Sequence, residues 1–242
     1  MSTVLAVAFS ALLAGLGGAL VPRWVARLPE PEPDPALVEK EGPKPLYVDL
    51  AARPHLGAGA VAIAALSGAI VGWAVGWDWP LVYLVPLVPV GVLLAYVDLR
   101  TRLLPSIVVV PTTVVALVLV VAVSAVEGDG DALVRALVGL VAVRSFFWVL
   151  WWVRSAGMGF GDVRLSALLG LVLGHLGWGQ LLVGTYSSFL LFGVPGLVLA
   201  VARRDRALLR TPYPFGPAML AGALLGVAAG AWIWSHLVAG GA

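Results

Sequence analysis

Gly157-Met-Gly-Phe-Gly-Asp-Val-Arg-Leu-Ser-Ala-Leu-Leu169 runs from a glycine-rich turn, through one carboxylate at Asp162, into an apolar helix. Glycines 157, 159 and 161 allow backbone conformations closed to other residues and let another chain approach closely. A second isolated carboxylate, Asp98, ends the apolar run Leu93-Leu-Ala-Tyr-Val97 and precedes Leu99-Arg-Thr-Arg-Leu-Leu-Pro105. What surrounds the two acids decides the fold. Hydrophobic residues make up 61% of the 242 positions and charged residues 12%. That is about half the charge of a soluble domain. The mean hydropathy is +1.00.

The apolar residues fall into runs close to the roughly 20 residues a spanning helix needs. Eight spans are expected, at 3–21, 57–77, 80–97, 104–126, 132–153, 163–177, 180–201 and 217–238. The fold class is therefore all-α, a polytopic membrane protein with about eight transmembrane helices, forming a single membrane domain over residues 1–242. The first run has no basic stretch before it and no cleavage site, so it is expected to be a retained span.

The loops at 22–56, 98–103, 154–162 and 202–216, with Arg164 just beyond, hold thirteen of the fifteen basic residues. The intervening loops hold none. The positive-inside rule puts the first set in the cytoplasm, both termini outside, and both aspartates at the cytoplasmic edge of a cell (plasma or inner) membrane. Topology also explains the net charge of +2, so no nucleic-acid partner is expected; the lipid bilayer is. The 22–56 loop carries Pro29-Glu-Pro-Glu-Pro-Asp-Pro35, which favours extended polyproline geometry. It is too short to bury a core of its own.

With no cysteine, disulfides, cysteine zinc sites and a thiol nucleophile are excluded. His55, His175 and His236 are too scattered for a recognisable metal site, and no cofactor is expected. Each aspartate has a plain structural explanation. Asp162 could cap its helix, and Asp98 could pair with Arg100 or Arg102 at the membrane edge. Together they have a chemical one. Two carboxylates a few ångströms apart cannot both ionise cheaply, so one stays an acid while its neighbour is a base. The base takes a proton from a water between them, and the acid polarises a scissile carbonyl.

At these residues the chain resembles the type IV prepilin leader peptidases, the bacterial GxGD aspartyl proteases. Gly159-Phe-Gly-Asp162-Val-Arg-Leu165 is similar to the family's GxGDxKL signature, with Arg164 in place of lysine. Asp98 through Leu104-Pro105 is similar to its first catalytic segment, with Ser106 where Asn or Asp often follows. Arg27-Leu-Pro29 and Pro214-Phe-Gly-Pro217 are weaker echoes. The resemblance implies an eight-span endopeptidase that removes the basic leader from prepilin or pseudopilin precursors at the cytoplasmic face. Asp98 and Asp162 would be its catalytic pair, and Gly159, Gly161, Arg164 and Pro105 supporting residues. Many members also carry a cysteine-rich zinc segment after the first span and N-methylate the new terminus. Here that segment is absent, so zinc is not expected and methylation is in doubt.

A transporter or channel is the alternative from another class, because ionisable residues in membranes mark ion pathways. Arg144, deep in the fifth run, favours it; otherwise Arg144 is expected to face inward onto backbone carbonyls or polar neighbours. The presenilin-like GxGD proteases fit less well, since Val97 separates Tyr96 from Asp98 and the late motif is Pro-Phe-Gly-Pro.

Overall fold

A computed structural model describes residues 2–30, 44–153, 158–205 and 213–239. Gly157, Arg154 and most of the proline-rich segment lie outside those residues. Every element among the described residues is helical, as membrane-buried backbone requires when no water can satisfy its polar groups. The elements are α1 (Ser2–Gly18), α2 (Val21–Ala26), α3 (Tyr47–Ala51), α4 (Leu56–Val75), α5 (Leu81–Thr101), α6 (Ser106–Glu127), α7 (Gly130–Val153), α8 (Phe160–Leu176), α9 (Trp178–Arg203) and α10 (Gly216–Trp234), followed by a π-helical turn, Ser235–Ala239. The protein is an all-α polytopic membrane protein.

Seven helices among the described residues are long and apolar enough to cross a membrane, with α1 and α2 forming one span, Thr3–Ala26. The expected sixth span, α8, has 17 residues. At about 25 Å it is shorter than a hydrocarbon core of about 30 Å. Burial compensates for the length: twelve of its residues are buried, against α6, α7, α9 and α10.

Small residues hold the bundle together. The closest pairs are α1 with α4, α7 with α8, and α9 with α10. A Cβ on Gly72 would meet the Ala6 carbonyl oxygen at 2.5 Å, and one on Gly230 the Gln180 Cα at 2.5 Å. Only glycine permits such approach, and membrane helices depend on it because lipid is as apolar as their side chains. Many large apolar side chains point outward, and Trp77, Trp79, Trp152, Trp178 and Trp232 are exposed near span ends, as interfacial tryptophans are.

Three local expectations are corrected. Asp98 lies inside α5, which runs on to Thr101, so the turn starts later than the apolar pattern suggested. Gly159, not Asp162, caps α8, and Asp162 is its third helical residue. Arg144 is exposed on the outside of α7 rather than turned inward. In the 22–56 loop, α3 is anchored from outside itself. Glu30 accepts hydrogen bonds from the N–H groups of Tyr47 (2.9 Å) and Val48 (3.0 Å), and the Tyr96 hydroxyl donates to the Leu50 carbonyl at 2.9 Å.

Candidate active site

The end of α5, the start of α8 and the start of α10 converge on Leu104. A Cβ on Gly161 would lie 2.7 Å from Leu104 Cβ, and one on Gly216 would lie 3.4 Å from Leu104 Cδ1. Two glycines thus let three helix ends close around one leucine. Asp98 is 4% exposed and Asp162 6%, and the charge of Asp98 bears on Asp162. Buried carboxylates must find donors, and both do so on backbone. Gly216 N–H donates to Asp98 Oδ2 at 2.9 Å. Gly159 N–H donates to Asp162 Oδ2 at 3.1 Å, and Asp162 N–H returns a bond to the Gly159 carbonyl at 3.1 Å.

Each donor is itself held in place. Phe215, next to Gly216, sits against the rings of Phe192, Phe189 and Phe147 at centroid distances of 4.9, 5.4 and 5.9 Å. Those rings come from α9 and α7, so two further helices fix the amide that meets Asp98. Arg102, left-handed at φ 54°, closes α5 by donating its N–H to the Asp98 carbonyl at 2.8 Å. The chain then turns sharply enough for Pro105 to cap α6 in extended conformation. Arg164 donates to Ser106 Oγ and lies 4.8 Å over the Phe160 ring, tying the start of α8 to that of α6.

The positions singled out in the sequence therefore meet: Asp98, Pro105, Gly159, Gly161, Asp162 and Arg164 belong to one end of the bundle. Of the two partners expected for Asp98, Arg100 and Arg102, the first does not pair with it. Arg100 instead lies over the Tyr96 ring, 5.8 Å from its centroid, and the cation whose charge bears on Asp98 is Lys44. Three neighbours escaped sequence reasoning. Buried Thr101 donates to the Val97 carbonyl at 2.8 Å and neighbours Tyr47, whose phenol burial pushes up, with the Glu30 charge adding to the rise. Gly216 was visible only as part of the Pro-Phe-Gly-Pro echo. No three His, Asp or Glu residues among those described are grouped to hold a metal ion.

Fold and site together define a class: a multi-pass helical membrane protein with two buried, backbone-bonded aspartates at one end of its bundle. Residues 85–226, more than half of the chain, match the model of the type IV leader peptidase family. The chain belongs to that family. It is 34% identical over 157 residues to the prepilin leader peptidase/N-methyltransferase of Stutzerimonas stutzeri, covering 63% of this chain and 50% of that protein. The protein of the same name from Pseudomonas aeruginosa is 31% identical over 158 residues, covering 65% and 52%. That from Neisseria gonorrhoeae is 30% identical over 155 residues, covering 62% and 49%. The chain spans about half the length of the curated relatives it matches. No solved structure matches it.

Proposed function

We propose that this protein is an aspartyl endopeptidase of the GxGD type that removes the basic leader from prepilin or pseudopilin precursors. The observation that carries the proposal is the meeting of Asp98 and Asp162, buried on different helices and each bonded through one oxygen to a backbone N–H. Family membership supplies the reaction class, and the names of the relatives supply the substrate. The proposal covers the peptidase step alone.

Two buried carboxylates close enough to repel share one proton. The ionised partner draws a proton from a water held between them, and that water attacks the scissile carbonyl. The protonated partner hydrogen-bonds the carbonyl oxygen and offsets the charge that develops there. The proton then passes to the leaving amine, which returns the pair to its starting state. Backbone amides suit this work, because a neutral donor fixes each carboxylate without itself locking both in the ionised form. With thirteen of fifteen basic residues on the aspartate side, the pair faces the cytoplasm, where water and the leader are available.

The test is leader removal from a co-expressed prepilin, followed by N-terminal sequencing of the product. A new terminus at the junction between the basic leader and the apolar segment is the expected result. An uncleaved prepilin beside correctly inserted protein refutes the substrate assignment. The transporter reading lost its main support when Arg144 proved to face outward.

A further inference from the structure

A cavity of about 650 Å³ lies between α4, α5, α8 and α10. Its walls are apolar, with Ile63, Leu84, Leu87, Leu168, Leu220 and Val227 among them, and neither aspartate lines it. Along α5 it extends from Leu84 to Arg100, about 24 Å at 1.5 Å per residue. That exceeds one leaflet, roughly half of a 30 Å hydrocarbon core. Polar character collects at one end, where α4 begins and α5 finishes, with Arg53, His55, Tyr96 and Arg100. Both arginines are exposed. Among the described residues neither has an ion-pair partner. The start of α4 lacks a side-chain cap, so its free N–H groups add to the positive field there.

We propose that this groove binds one phospholipid with an anionic headgroup, its phosphate held by Arg53 and Arg100 and an acyl chain lying along α5. The groove opens on lipid, so exchanging one acyl chain for another gives little free energy. Selectivity therefore rests on the headgroup. Two guanidinium groups attract a phosphate, and repel both a choline ammonium and a basic peptide. That charge pattern favours an anionic lipid over the leader of the proposed substrate, and the inference does not depend on the peptidase reading.

Purified protein in neutral detergent is offered equal amounts of dioleoyl phosphatidylglycerol and dioleoyl phosphatidylcholine, and retained lipid is read by native mass spectrometry. One phosphatidylglycerol per chain is expected, with a preference of roughly thirtyfold, about 2 kcal/mol for two basic side chains beside anionic lipid. The Arg53→Gln/Arg100→Gln variant should lose the preference. Gly59 lines the groove, and a Cβ there would meet nothing within 4 Å. Gly59→Leu therefore fills the groove without disturbing the helix and should abolish retention; it decides the matter if the double variant does not fold. Equal retention of the two lipids, or unchanged retention in Gly59→Leu, overturns the proposal. So does displacement of the lipid by inorganic phosphate alone, or crosslinking of a prepilin's apolar segment at Gly59→Cys in place of lipid.

Discussion

At the residue scale the site depends on where backbone N–H groups point. Gly216 meets Asp98 from 118 positions away, and no local pattern announces that contact. A Cβ on Gly216 would stand 2.7 Å from Asp98 Oδ2 and 3.3 Å from its Cγ, so Gly216→Ala must push the carboxylate aside. Misplacement of reacting groups by about 1 Å costs on the order of a hundredfold in rate. Gly216→Ala is accordingly expected to lower the rate of leader removal by one to two orders of magnitude while inserting and folding normally, as single-turnover cleavage in membranes will show. Arg144 gives the opposite expectation. An exposed arginine deep in a span costs about 2.5–3.5 kcal/mol on insertion scales, and it touches nothing at the site. Arg144→Leu should insert more readily and cleave at the wild-type rate; loss of cleavage would mean that Arg144 takes part in the reaction.

At the element scale the helices were legible and their ends were not. Apolar runs located the seven helices long and apolar enough to cross a membrane, because in lipid the choice of a helix is forced. The runs said little about where a helix stops, since the last turn of α5 carries Asp98, Arg100 and Thr101 and is still helix. The depth of burial of α8 was also hidden, because its residues look like those of any other span. Its buried polar contact is another example: His175 Nδ1 lies 2.8 Å from the Tyr83 hydroxyl and its Nε2 3.0 Å from Ser124 Oγ. Those residues come from three helices, and the sequence left His175 as one of three scattered histidines. The glycines of the packed pairs give a direct prediction. Gly230→Ala would place a methyl 2.5 Å from Gln180 Cα and 2.7 Å from its nitrogen, backbone that cannot yield. It should destabilise the protein by about 1–3 kcal/mol. Gly193 in α9 meets nothing within 4 Å, so Gly193→Ala should leave thermal unfolding in detergent unchanged or slightly improved.

At the scale of the whole molecule, the bundle brings two short motifs from 64 positions apart to one end. That much follows from counting spans, because an even number of crossings returns the chain to the same face. The third contributor, the start of α10, is fixed by an aromatic cluster that joins α7, α9 and Phe215, and only the folded chain reveals it. The groove between α4 and α5 was equally invisible, since its arginines are separated by a full hairpin. If the aspartates act as a pair, they share a proton, and leader removal should show a bell-shaped pH dependence whose two limbs belong to the pair. A single limb would point to one working carboxylate. The most direct measurement compares Asp98→Asn, Asp162→Asn and the double variant in the same leader-removal assay. Groups that act as a unit are non-additive, so each single variant should fall to the same background as the double, with membrane insertion intact. Retained cleavage in either single variant, or losses that multiply in the double, would show that the two aspartates do not form one catalytic unit.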